Sequence, residues 1–268
     1  PSTHLFSYDP KTGVTRNFGR LDPNQYYAYP TAGDDGLIYC AIQFEKADIV
    51  VFDPVHETKT SLIPLAERKP GRVRLTKGRD GKVYARLSSS GRWFRIEEGK
   101  KLIEVPEADI PFPLKGLPDG RQFQIIDQKI LRMENPLTKE VNEVPFRYEA
   151  SGAYILVVGT GPDGRIYGSS MLPLRLFAYD PKKEATLLLG KASHSSGEIY
   201  SMGSYDGKLY LCSYPEARLS IYDPTKPLRF GDDEEANPRD LGPLGGEQDR
   251  PRAMVAGPHG RIYIGSTP

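Results

Sequence analysis

One turn signature recurs six times along the chain, and it constrains the fold more than any other feature. The copies are Asp35-Gly36-Leu37-Ile38-Tyr39, Asp80-Gly81-Lys82-Val83-Tyr84, Asp119-Gly120-Arg121-Gln122-Phe123, Asp163-Gly164-Arg165-Ile166-Tyr167, Asp206-Gly207-Lys208-Leu209-Tyr210 and His259-Gly260-Arg261-Ile262-Tyr263. Successive copies are 45, 39, 44, 43 and 53 residues apart. Asp-Gly supplies the positive φ of a tight hairpin turn, and the residues after it alternate polar and apolar up to an aromatic, as a half-buried strand does. A unit of this kind repeated every 40–50 residues is the pattern of four-stranded propeller blades, and it excludes helical repeats.

A second element follows the turn at a nearly fixed distance. Its copies are Tyr8-Asp9-Pro10, Phe52-Asp53-Pro54, Tyr179-Asp180-Pro181 and Tyr222-Asp223-Pro224, with Glu134-Asn135-Pro136 as a degenerate version. Aromatic-Asp-Pro ends a strand, because Pro has no N–H for the ladder and Asp closes the turn. From turn to this ending the offsets are 18, 16, 17 and 17 residues. Carried from His259 past residue 268 to Asp9, the offset is again 18. The two ends therefore complete one blade between them, which leaves no open sheet edge. The expected fold is all-β: one β-propeller domain over residues 1–268, with six four-stranded blades at 250–268 with 2–20, 25–62, 71–105, 112–145, 151–190 and 197–242. Seven blades would follow if the chain is a fragment of a longer array. Residues 226–249 break the period as a polar insertion, read either as a solvated loop or as a rim over one face.

Composition suits this fold, with 27 Gly, 24 Pro, 16 Tyr and 10 Phe. No apolar run approaches the length of a membrane span. Cys40 and Cys212 fall in equivalent strands of different blades, which predicts two separate buried thiols. The four histidines are not spaced as metal ligands, and no phosphate-binding glycine loop is present, so neither metal nor cofactor is expected. Net charge is +1, yet Glu67 to Lys101 carries +8 and Leu228 to Asp249 carries −5. The basic stretch reads as a solvated face or as a sector that meets an anion.

Propeller ligands sit against the innermost strands, here the residues just before each turn. Counting back by twos places Tyr27, Tyr29, Arg72, Arg74, Glu198 and Tyr200 on one side of these strands. In the closing blade Arg252 has the opposite parity, so a one-residue register slip is expected there. Arg forks bind carboxylate or sulfate, and Tyr rings stack on sugars while their hydroxyls hydrogen-bond. The other reading is that the arginines and Glu198 neutralise one another. His194, in the loop before Glu198, is the best-placed general base, against the plain reading of a loop histidine.

The Asp-Gly-x-Ile-Tyr and Tyr-Asp-Pro repeats resemble the blades of bacterial propellers of the kelch and gluconolactonase-like group. They are also similar to those of propeller polysaccharide lyases and glycosidases acting on uronate-containing glycans. Such lyases use His, Tyr and Arg on one face of the channel. That resemblance implies a set of Tyr27, Tyr200, Arg72, Arg74 and His194, with Tyr200, His194 and Tyr27 catalytic and Arg72 and Arg74 binding substrate; the parity of the inner strands adds Glu198, Tyr29 and Arg252 as binding residues. The function expected is recognition of an acidic oligo- or polysaccharide at the central channel, with lyase or glycoside hydrolase activity if the chain is an enzyme. The alternative is a non-catalytic propeller that binds a ligand or a protein partner. Nucleic acid ranks below both because the net charge is only +1, although Trp93, Phe94 and Arg95 could form a stacking platform. No membrane association is expected, and a periplasmic or extracellular location is favoured.

Overall fold

The computed structural model describes residues 3–23, 25, 27–113, 116–145 and 154–267. They form two compact units, one of residues 1–113 with 244–268 and the other of residues 114–243. Every sheet is antiparallel, and the only helical pieces among the described residues are three-residue 3-10 turns at Glu107–Asp109 and Pro258–Gly260.

Unit 1 opens with β1 (His4–Asp9) and β2 (Val14–Arg20). A full blade follows, β3 (Ala28–Ala32), β4 (Ile38–Ile42), β5 (Asp48–Asp53) and β6 (Thr58–Ser61). The next is β7 (Val73–Lys77), β8 (Val83–Leu87), β9 (Trp93–Glu97) and β10 (Lys101–Val105). Unit 2 contains β11 (Gln122–Ile126), β12 (Ile130–Glu134) and β13 (Val141–Pro145), then β14 (Ile155–Thr160), β15 (Ile166–Ser170), β16 (Arg175–Asp180) and β17 (Ala185–Gly190). Its last blade is β18 (Ile199–Tyr205), β19 (Lys208–Ser213), β20 (Arg218–Tyr222) and β21 (Arg239–Pro243). The chain ends in unit 1 with β22 (Arg250–Ala256) and β23 (Ile262–Thr267).

These strands make six sheets, and the fold class is all-β, a β-propeller. The N- and C-terminal strands share one sheet in the order β2-β1-β23-β22, as the offset across the ends requires. Five sheets have four strands. The sheet β11-β12-β13 has three among the described residues. Its expected inner strand runs through Pro111 and Pro113, two residues with no N–H to give a ladder; Lys115 lies outside the described residues.

The turns show what the repeat does. In four copies the Gly N–H closes a turn on the carbonyl three residues back, and that Gly is left-handed: Gly36, Gly81, Gly120 and Gly164 have φ near +80°, whereas the Asp before each does not. Only Asp206-Gly207 and His259-Gly260 have positive φ at both positions. Asp has a further role in three copies, where the Tyr hydroxyl four residues on donates to its carboxylate: Tyr39 to Asp35 at 2.5 Å, Tyr84 to Asp80 at 2.8 Å and Tyr167 to Asp163 at 3.0 Å. Each such Tyr is nearly or fully buried. A glycine two residues before the turn Asp or His (Gly33, Gly78, Gly161, Gly257) lies against the Tyr ring, where a Cβ would collide. The full repeat is thus Gly-x-Asp-Gly-x-apolar-Tyr. In the Asp-Pro endings, the side-chain oxygen of Asp9, Asp53, Asn135 and Asp180 accepts the backbone N–H groups two and three residues on.

The core of unit 1 lies between sheets, with Leu5, Ile38, Val50, Phe52 and Tyr263 in one cluster and Tyr39, Ile49, Val73, Ala85 and Ile96 in another. Unit 2 packs Leu131, Ile166 and Phe177 together, and separately Tyr167, Leu176, Leu209 and Tyr222. Cys40 and Cys212 are buried and unbridged. In unit 1 a buried ion cluster ties the loop after β6 to two blades: Arg68 bonds Asp22 at 3.2 Å and Asp48 at 2.9 Å. In unit 2 the acidic insertion is an ordered loop, because the Asn237 side chain donates to the carbonyls of Asp223, Lys226 and Pro227 and accepts the Asp223 N–H.

Candidate functional site

In unit 1 the structure gathers four of the expected residues. Strand β3 alternates strictly, so Ala28, Pro30 and Ala32 enter the core while Tyr29 and Thr31 stay half-buried on the open side. Tyr27 precedes the strand. Strand β22 carries a bulge between Arg250 and Ala253 against β23, one extra residue that reverses the parity of side chains before it. That is the slip expected for the closing blade. The bulge places the Arg252 guanidinium 5.1 Å from the Tyr27 ring centroid. Tyr27 in turn packs edge-on to Phe44, with centroids 4.9 Å apart, and the Arg72 guanidinium lies 5.7 Å from the Phe44 ring. The order is Arg252, Tyr27, Phe44, Arg72, two touching rings with a cation at each end.

Phe44 was not marked by any spacing in the sequence. Its φ is +87°, a region that bulky residues rarely occupy, and it is locked there by reciprocal 2.7 Å backbone bonds with Gly71. The strain holds a ring that is 39% exposed beside Tyr27 and Arg72. Burial raises the Tyr29 hydroxyl above the usual phenol range, against the opposing pull of Arg252 and Arg72, so Tyr29 acts as a neutral donor and acceptor. Arg74, on β7, lies over Trp93 at 6.0 Å and lines an open cavity of about 290 Å³ with Arg72, Arg86, Ser88 and Gly91. Trp93 is only 3% exposed, so it offers no free face for base stacking.

His194, Glu198 and Tyr200 belong to unit 2. Asp240, 2% exposed, is the hub of their surroundings. It accepts the His194 backbone N–H at 2.6 Å, the Ser193 hydroxyl at 3.1 Å, the Arg218 Nε at 3.0 Å and the Gly242 N–H at 2.8 Å. Asp240 therefore orients the His194 backbone and not its imidazole, which packs on Phe230 at 4.8 Å. Ser193, His194 and Asp240 do not make a nucleophile-base-acid relay. Glu198 is 8% exposed and its carbonyl accepts the Tyr214 N–H. Tyr200 sits in a bulge of β18 between Ile199 and Ser201 and meets Tyr214 edge-on at 6.0 Å. Among the described residues no three His, Cys, Asp or Glu side chains gather as a metal site, and no helix is long and apolar enough to cross a membrane.

No family model and no curated protein matches this sequence. Solved structures do match in shape. One is a putative TolB from Agrobacterium tumefaciens, with a TM-score of 0.56, 12% identity, and coverage of 99% of this chain and 98% of that one. Another is the extracellular domain of a putative one-component system from B. thetaiotaomicron, with a TM-score of 0.60 and 11% identity over 91% of this chain. This chain spans 41% of that protein's length. At such identities the likeness shows the fold alone, and that fold is the β-propeller the repeats require.

Proposed function

We propose that this chain is a ligand-binding propeller that recognises an acidic sugar, a uronate, at the Arg252-Tyr27-Phe44-Arg72 cluster of unit 1. The observation that carries this reading is a pair of touching aromatic rings flanked by two guanidinium groups at a half-open position. Each ring holds a guanidinium beside its face, which pre-organises a fork that a carboxylate can bridge with two hydrogen bonds. The same rings offer apolar faces to a pyranose, and the Tyr27 and Tyr29 hydroxyls can reach its hydroxyl groups. Arg72 makes no ion pair among the described residues, so its charge is left for a ligand.

Binding is placed ahead of turnover. Elimination from a uronate needs a base at the carbon beside the carboxylate; of the two expected bases, His194 has its ring against Phe230 and Tyr200 meets Tyr214 edge-on. The test is calorimetric titration with glucuronate and galacturonate oligosaccharides against their neutral counterparts. Arg252→Gln and Arg72→Gln should each weaken acidic-sugar binding about 10-fold or more, the loss expected for a charged hydrogen-bonding partner. Equal affinity for neutral and acidic sugars, or none for either, would remove the reading. Absorbance from unsaturated uronate on the same panel tests turnover. If it appears, Arg72→Ala and Tyr200→Phe should each slow it about 100-fold.

A further inference from the structure

Strands β7 and β8 carry a feature that a single carboxylate does not use. Arg74 faces Arg86 directly across this antiparallel pair, and Arg86 in turn faces Trp93 on β9. Arg72, two residues before Arg74, falls on the same side. Ser88 fixes it there, its hydroxyl accepting the Arg72 N–H at 2.7 Å and its own N–H donating to the Arg72 carbonyl at 2.9 Å. All three arginines are exposed and line one cavity. None forms an ion pair among the described residues, whereas their neighbours do: Arg92 binds Glu104 at 2.9 Å and Arg95 binds Glu97 at 2.5 Å. Like charges directly opposite in a sheet destabilise it. Three unpaired cations on one side of one hairpin, beside neighbours that are paired, fit a bound anion better than a solvated face.

We propose that β7 and β8 hold a second anionic group of the same ligand, next along the saccharide from the uronate at Arg72 and Arg252. This rests on the reading above. Arg72 belongs to both places, since it lies over Phe44 and also lines the β7–β8 cavity. The ligand is then a polyanionic glycan, with a second carboxylate or a sulfate presented to Arg74 and Arg86.

The experiment compares galacturonic acid, trigalacturonate and a sulfated uronate disaccharide by calorimetry, with wild-type protein and with Arg86→Gln. The wild type should bind one of the two longer ligands at least about 10-fold more tightly than the monosaccharide. Arg86→Gln should remove most of that gain and leave the monosaccharide unchanged. A larger gain with the trisaccharide identifies carboxylate as the second group, and a larger gain with the disaccharide identifies sulfate. Longer ligands that bind no better than the monosaccharide, or a gain that survives Arg86→Gln, would overturn this inference and leave the uronate site standing. No binding of any acidic sugar overturns both, and so does a single-stranded oligonucleotide that binds more tightly than either glycan. A second readout needs no sugar. Arg86→Gln should raise Tm, because repulsion is relieved, and should blunt the rise in Tm that inorganic sulfate produces in the wild type. An unchanged response to sulfate counts against the site.

Discussion

Replacing Arg68 with methionine would remove a charge while keeping most of its volume, and the structure sets the size of the loss. The Arg68 side chain is 12% exposed and those of Asp22 and Asp48 are 8% and 0% exposed. Its guanidinium reaches Asp22, Asp48 and the Ser61 hydroxyl, and its Nε donates to the Ile63 carbonyl at 2.9 Å. Breaking one side of a buried pair typically costs about 3–5 kcal/mol, because a carboxylate is left in the interior without its partner. Asp48 keeps the Ser61 hydroxyl at 2.7 Å and the Ile63 N–H at 3.0 Å, so the lower end, about 3 kcal/mol, is expected here. In a chain of this size that lowers Tm by about 6–12 °C. Thermal and urea unfolding, followed by Trp93 fluorescence and far-UV circular dichroism, would measure it. Asp48→Asn added to Arg68→Met should recover at least about 1 kcal/mol, since the stranded charge is then gone.

The pH dependence has a fixed sign. Burial holds the Asp48 carboxyl above its usual range, despite Ser61, the Ile63 N–H and Arg68. The folded state therefore binds this proton more readily than the unfolded chain does. The contribution of Asp48 is most favourable below about pH 4 and fades as pH rises through its raised pKa. Losing Arg68 extends that window upward, so the deficit of the variant should be small in acid and largest at neutral pH. A loss below about 1 kcal/mol at pH 7, the range of exposed pairs, would refute the buried-charge reasoning.

Other outcomes follow from the same structure. Tyr84→Phe, which deletes the hydroxyl bond to Asp80, should lower stability by about 0.5–1.5 kcal/mol in chemical denaturation. Gly78→Ala should cost about 1–3 kcal/mol, because the new Cβ would lie 2.9 Å from the Tyr84 ring and 3.1 Å from Pro111. Burial pushes Asp240 up, but the His194 N–H, Arg218 and the Gly242 N–H outweigh it and hold the carboxyl below its usual range. Its stabilisation is present above the unfolded carboxylate pKa and is lost as pH falls through the folded one, so Asp240→Asn should lose stability at pH 7 and flatten the acid limb of the pH–stability curve. Burial raises the Cys40 thiol to about 12 and the Cys212 thiol higher still, so a thiol reagent should label neither in the native protein and both after unfolding.

The sequence by itself determined the six sheets, the joints within them and the pairing of the two chain ends. Those features are local: Gly36 and its counterparts supply a left-handed turn residue, Pro10 and its counterparts cannot extend a ladder, and alternation assigns each strand two faces. It also put Tyr27, Tyr29, Arg72 and Arg252 in one larger group with Arg74, Glu198 and Tyr200, by a parity that holds within an unbroken strand, and could not say which of them meet. Only the tertiary structure decided what long-range packing controls. The bulge in β22 turns Arg252 toward Tyr27, and the one in β18 re-aims Tyr200; a count by twos cannot see either, since one extra residue reverses every parity before it. Phe44 acquires its place from a bridge to Gly71, 27 residues away, that forces an unfavourable φ no local preference would choose. Trp93, set in a basic and polar stretch of sequence, is buried by Tyr84 and Ile110. His194 has its backbone fixed by Asp240, 46 residues later and inside an insertion that sequence alone reads as a loop. In each case the partner comes from a distant segment, and the free energy of the contact appears only once the sheets have assembled.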